Sequence, residues 1–214
     1  MPNENKISYS ELFSELVNDE GQLDDAKASF LYYMFPQEMF IRALSLLESG
    51  EIFIYIYPCS TSTDLESLVN TIVQTVYNDH NDGKLIKVVV QTNDDRTIFT
   101  DIEHWFCSCQ EYSEKFSQII TSDPETPLQV LLLKEIDNVE DFSSDKFAQL
   151  EANSLSKQRY FNHSKVICPH LLACSILLKS SSRILHFFTV TKGSVLVFPI
   201  NDIDEWLRLH VNIA

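Results

Sequence analysis

Two short pairs constrain this 214-residue chain more than any other feature: Cys107-x-Cys109 in HWFCSCQEY and Cys168-x-His170 in VICPHLLACSILL. A disulfide between cysteines one residue apart would close a small strained ring, whereas two thiolates directed at one ion is an ordinary use of that spacing. Three sulfurs and one imidazole make a closed tetrahedral set for zinc, which is borderline-soft and asks only for four directions. To act together, the two pairs must be brought back to one place across Gln110 to Ile167, a spacer of 58 residues.

The surrounding pattern predicts where the pairs sit. Ser8 and Glu11 fit a capping box ahead of an apolar stripe of Leu12, Phe13, Leu16 and Val17. A second helix is expected from about Asp24 to Phe35, and a third carries Met39, Phe40, Ala43, Leu44 and Leu47 before Gly50 stops it. EIFIYIY, Glu51 to Tyr57, reads as a strand whose continuous apolar character predicts burial on both faces. Thr63 and Glu66 form a second capping box before a helix with Leu65, Leu68, Val69, Ile72, Val73 and Val76 on one face. KLIKVVVQT and RTIFTDI flank Asn93, Asp94 and Asp95, the composition of a hairpin, and the first cysteine pair follows directly. Pro169 and the apolar run Leu171, Leu172, Ile176 and Leu177 place the second pair at the start of a helix. RILHFFTVTKGSVLVFPI reads as another hairpin turning at Lys192 and Gly193, with Asn201 or Asp202 capping a last helix that bears Trp206, Leu207 and Leu209. The fold class is therefore α/β (α+β), mixed helices and sheet with an embedded β-hairpin-plus-helix zinc module. The expected divisions are an N-terminal α/β part at 1–84, the module at 85–179 with its insertion at 110–167, and a hairpin and helix at 180–214 packing on the same core.

Within the spacer, TSDPETP reads as a loop, LQVLLLKEI as a strand or short buried helix, and NVEDFSSDKFAQLEANSLS as a helix. It is too apolar for a disordered linker. It either extends the core or forms a partner-binding surface. The aromatic and aliphatic load after residue 180 exceeds what a small sheet edge hides, which predicts contact with another chain.

Composition limits the function classes. With 44% hydrophobic and 11% aromatic residues the chain can bury a real core. Neither a signal sequence nor a membrane span is expected from its hydropathy. Five cysteines are an odd number for a disulfide framework and suit a reducing compartment, so a nuclear or cytosolic site is expected. Residues 1–106 carry 18 acidic against 6 basic side chains, and the net charge of the chain is -15. Such a surface repels phosphate backbones and favours protein partners, with only weak or indirect DNA contact. No membrane association is expected.

The order C-x-C, spacer, C-x-H followed by x-x-A, with Ala173 as the trailing alanine of CPHLLA, resembles the SWIM zinc module. The architecture is further similar to that of the SWIM-domain subunit family of the Shu complex, a recombination mediator found with RecA-like recombinase paralogs. That resemblance implies one structural zinc on Cys107, Cys109, Cys168 and His170 and no catalysis. It also implies partner proteins that include a small RecA-like paralog, and a part in recombinase assembly on single-stranded DNA during error-free repair. Many SWIM modules have a much shorter spacer, and this chain departs from them there. The competing class is a free-standing zinc module that binds nucleic acid directly.

Each candidate has an alternative. Buried free cysteine is a common core residue, and Ala173 on a helix facing a strand is ordinary packing. Cys174, four residues after His170 on the same helix face, is the alternative fourth ligand or else a core thiol. His104 and His163 flank the ligand pairs closely enough to compete, Cys59 is expected to pack, and His80, His186 and His210 have no partner pattern.

Enzymatic readings find little footing. YPCSTST lacks the second cysteine of a zinc deaminase segment, and no H-E-x-x-H occurs. Glu103 and His104 are adjacent, so on a strand they point to opposite faces. Four glycines in the whole chain form no phosphate-cradling loop.

Overall fold

The computed structural model describes residues 9–18, 20–58, 64–77, 84–92, 96–122 and 166–211. Expectations for Ser8, Thr63, Cys59, His80, the turn at 93–95, the spacer elements from 123 to 156 and His163 fall outside them. Helices α1 (Tyr9–Ser14), α2 (Asp25–Met34) and α3 (Gln37–Ser49) lead into strand β1 (Ile52–Tyr57). Helix α4 (Leu65–Tyr77) precedes β2 (Leu85–Gln91), β3 (Thr97–Asp101) and the short β4 (Phe106–Cys107). Then come α5 (Gln110–Ser122), α6 (Pro169–Leu178), α7 (Ser182–His186) with a π turn at Phe187–Thr191, β5 (Val195–Pro199) and α8 (Ile203–Val211). The fold is α/β. Its sheet has the order β4-β3-β2-β1-β5, mixed because β5 runs parallel to β1 while the other pairs are antiparallel.

Local chemistry explains the boundaries. Asp24 Oδ1 accepts from the backbone N–H groups of Ala26 at 2.9 Å and Lys27 at 3.0 Å, satisfying two of the donors that a helix start leaves open. Gly50 takes φ +79° at the end of α3, a left-handed conformation that glycine adopts without Cβ strain. At α4 the cap is Asp64, whose carboxylate accepts from Ser67 N–H at 3.3 Å, one residue later than the expected Thr63.

Helix α6 is apolar all round and every one of its residues is buried, the mark of a helix at the centre of a core. It packs along α3, and its Leu172, Ala173 and Ile176 join Ile52, Ile54, Ile56, Val88 and Val90 from the inner face of the sheet. A second, smaller cluster gathers Cys107, Cys109, Tyr112, Val166, Cys168 and Leu171 beside the first. No single helix among the described residues is long and apolar enough to cross a membrane.

Two expectations are corrected. β1 alternates between fully buried Ile52, Ile54 and Ile56 and half-buried Phe53, Tyr55 and Tyr57, so only one face is sealed. Its aromatic positions carry the apolar character outward, where Phe53 and Tyr55 stack on Phe198 and Tyr57 stacks on Trp206. The C-terminal hairpin does not form either. Ser182–Thr191 is helical, because Ile184, Leu185 and Phe188 at helical spacing are buried together against the core, and only Val195–Pro199 is strand. The turn at Lys192 and Gly193 is real, with Gly193 at φ +66°, but it joins a helix to a strand.

Candidate metal centre

The first pair is set by the sheet edge. Cys107 ends β4 opposite Thr100, and the intervening Ser108 is tied to β3 twice: its N–H donates to Phe99 O at 3.0 Å and its Oγ accepts from Phe99 N–H at 2.9 Å. Cys109 then immediately precedes α5. Its carbonyl accepts from Ser113 N–H at 3.1 Å and its Sγ accepts from Tyr112 N–H at 3.3 Å.

The second pair repeats this arrangement on α6. Cys168 is the N-cap in extended conformation, its carbonyl accepts from Leu172 N–H at 3.0 Å and its Sγ from Leu171 N–H at 3.5 Å. Pro169 opens the helix where a missing N–H costs nothing, and His170 follows on the first turn. Two helix N-termini therefore converge on the sulfurs, and the partial positive charge at each favours thiolate.

One ligand atom from each of Cys107, Cys109, Cys168 and His170 lies within 4.8 Å of the others, and all four residues are buried. Tetrahedral sulfur ligands around a small divalent ion stand roughly 3.8 Å apart, given bond lengths near 2.3 Å, so the four need close by no more than about 1 Å to hold one. His170 Nδ1 is buried without a hydrogen-bond partner, a costly condition for a ring nitrogen unless a cation takes its lone pair. These four residues could hold a metal ion.

Their protonation points the same way. Cys109 accepts hydrogen bonds from Cys107 and Cys168 and is held far below the usual thiol range. Cys107 is pushed far up by hydrogen bonding with Cys109 and Cys168 and by burial. For Cys168 the hydrogen bond with Cys107 pulls down, but the one with Cys109 and burial prevail, leaving it raised to about 12. A divalent cation would allow all three thiols to ionise.

The spacer does not keep the pairs apart, because contacts on both sides fix them. Trp105 Nε1 donates to Val166 O at 2.8 Å, Tyr112 O–H donates to Trp105 O at 2.7 Å, and Lys115 Nζ donates to Ile167 O at 3.0 Å while pairing with Glu111 at 2.8 Å. Helix α5, which supplies Tyr112 and Lys115, was not expected from the sequence. Its signal was the four-residue spacing of Tyr112 and Phe116, which stack at 6.0 Å, and of Glu111 and Lys115.

The other candidates lie elsewhere. Cys174 is fully buried in the larger core, where its Sγ is 3.2 Å from Thr100 Oγ1 and burial raises its thiol to about 11. Ala173 is fully buried in the same core. His104 is exposed, its Nδ1 2.7 Å from Asp101 Oδ2. His186 is exposed on α7, and His210 Nδ1 lies 3.0 Å from Trp206 O.

Fold and site together define a class: an α/β protein built around a closed Cys3His constellation able to hold one metal ion. Comparison with known proteins makes this specific. The family described as Suppressor of hydroxyurea sensitivity protein 2 matches residues 10–69 and 58–210, and the chain belongs to it. Proteins of that name from Saccharomyces cerevisiae, Zygosaccharomyces rouxii and Vanderwaltozyma polyspora are similar at 48%, 46% and 40% identity, covering 97%, 97% and 100% of this chain and 97%, 95% and 100% of their own length. It is the family that the chain resembles through its cysteine and histidine pairs together with its size and long spacer.

Proposed function

We propose that this chain is a non-catalytic subunit of a Shu-type recombination-mediator complex in the nucleus. It holds one structural Zn2+ on Cys107, Cys109, Cys168 and His170, and through protein contacts it promotes assembly of a RecA-like recombinase on single-stranded DNA in error-free repair. Its immediate partner is a small RecA-like paralog subunit. Family membership over nearly the whole chain supports the complex and its setting in DNA repair. The observation that carries the zinc role is the buried cluster, whose donors are the sulfur and imidazole types zinc accepts. Four protein ligands close a tetrahedral ion to water and substrate, so the ion would organise structure and not perform chemistry. Formation of such a site contributes on the order of 10 kcal/mol in small zinc peptides, comparable to the stability of a whole domain. The net charge of -15 favours protein partners over direct capture of a phosphate backbone.

The test is reconstitution. The full chain and the RecA-like paralog, co-expressed and purified, are added to recombinase and single-stranded DNA, and filament assembly is followed. Faster assembly with wild type, and little with His170→Ala, is expected. Tight, zinc-dependent binding of single-stranded DNA by the chain alone at about 0.15 M salt would instead favour the direct nucleic-acid module.

A further inference from the structure

The sheet has two faces, and the described helices cover them unequally. Alternation along the strands sends Phe53 and Tyr55 of β1, Leu196 and Phe198 of β5 and Phe99 of β3 to the face opposite the core. Helix α8 covers one end of that face: Trp206 stacks on Tyr57 at 5.7 Å and Leu209 O accepts from Lys87 Nζ at 2.6 Å. Beyond it runs an aromatic strip. Phe198 stacks on Tyr55 at 5.5 Å and on Phe53 at 5.9 Å, yet Phe198 is 40% and Leu196 39% exposed. At the other side of the sheet Phe106 is 47% exposed. An apolar strip of this kind on a sheet face marks an interaction site.

Aromatic strips on sheets serve two classes of macromolecule, stacking of nucleotide bases or docking of protein, and the charge around the strip decides between them. Glu51 falls on this face beside Phe53 by alternation, and Glu205 lies close enough to Tyr55 to act on its hydroxyl, whereas Asp101, opposite Phe106, is already paired with His104. The cation in the middle, Lys87, is already engaged: its Nζ donates to Leu209 O and lies 4.2 Å from the centre of the Phe99 ring. An aromatic centre in an acidic frame repels phosphates and suits lysine and arginine.

We infer that this face is the docking surface for a protein partner whose contact patch is apolar and flanked by Lys or Arg side chains. The inference rests on the reading above that the chain works through protein contacts, and it assigns the surface that does so. Apolar side chains of the partner fill the strip between Phe53, Phe198 and Leu196, while its basic groups meet Glu51 and Glu205. Burial of the aromatics supplies affinity, and the charges steer the encounter and reject nucleic acid.

The experiment measures binding of the full, zinc-loaded chain to the purified RecA-like paralog by titration calorimetry. Phe198→Glu places a charge in the strip, and the double variant Glu51→Lys with Glu205→Lys reverses the frame at surface positions that do not endanger the fold. Tyr33→Glu on α2, which packs on the core side of the sheet, is the control. Each face variant is expected to weaken binding at least about tenfold, with the control within about twofold of wild type. Raising salt should weaken the wild-type complex more than that of the charge-reversed variant. Wild-type affinity in both face variants, with unchanged melting temperatures, would overturn the inference and leave the functional reading standing. A wild-type chain that does not bind the paralog would overturn both. Binding of an oligo-dT strand that the charge reversal strengthens and Phe198→Glu abolishes would overturn the inference in favour of a nucleic-acid surface.

Discussion

The indole N–H of Trp105 donates to the carbonyl of Val166 across 2.8 Å, and so joins the residue two before Cys107 to the residue two before Cys168. The Cys107/Cys109 and Cys168/His170 pairs are distant in sequence, and this bond holds their approaches together without any ion. Trp105→Phe keeps an aromatic ring but removes the donor. A net loss of about 1 kcal/mol of stability is expected, with weaker metal binding because the pairs are less preorganised. Urea denaturation and competition with a chromophoric chelator measure the two effects. Unchanged values in both would mean that the bond contributes nothing to the site.

Metal content tests whether His170 is the fourth ligand and Cys174 is not. One zinc per chain is expected in wild type, lost or greatly weakened in His170→Ala and retained in Cys174→Ser. The geometry gives the reason: His170 is in the four-residue group, whereas Cys174 contacts Thr100 in the larger core. Metal analysis of protein prepared in reducing, chelator-free buffer decides it. No zinc in any preparation would leave the cysteine pairs as packing.

Sequence pattern foretold best those parts whose residues answer to their own neighbours. The stripe on α4 and the apolar face of α3 are periodic because one side of each meets the core, and both helices form where that period runs. The four members of the buried cluster stood out because C-x-C and C-x-H are chemically unusual at any position, and the fold brings them together. What failed depended on chain return. Ser182–Thr191 is rich in β-branched and aromatic residues and reads as strand, yet Ile184, Leu185 and Phe188 are drawn into the core as a helix. Helix α5 was hidden by Gln110, Glu111, Ser113 and Glu114, polar residues whose apolar companions Tyr112 and Phe116 gain burial only beside Val166 and Cys168. The Trp105–Val166 bond has no local signal whatever.

Removal of the metal should be visible in one tryptophan and silent in the other. The chain has two, Trp105 beside the cysteine cluster and Trp206 stacked on Tyr57. In a Trp206→Phe chain, a zinc chelator is expected to shift the emission to the red as Trp105 loses its packing. In a Trp105→Phe chain the same treatment should leave the emission of Trp206 near its starting wavelength, because Trp206 packs on Tyr57 on the sheet face away from the core. Equal shifts in both would show that the ion supports the whole fold and not one end of it.

Alkaline stability should depend on Cys174. Its thiol is fully buried and raised to about 11 by burial, against 9.0 for a free thiol. The folded chain keeps this proton where the unfolded chain releases it, so the stabilising contribution is complete below pH 9 and is lost as pH rises towards 11. The full loss is about 3 kcal/mol, from 1.36 kcal/mol for each tenfold difference in proton affinity. Cys174→Ala removes the group, lowers stability at neutral pH through the cavity it leaves, and should flatten the decline between pH 9 and 11. Lys87, lowered to about 8 by burial, acts with the opposite sign over part of the same range, since its folded form sheds a proton the unfolded chain still holds. That contribution is common to both proteins and cancels in their difference. Urea midpoints measured at intervals across this range give the comparison directly, and parallel profiles would mean that Cys174 does not stay protonated in the core.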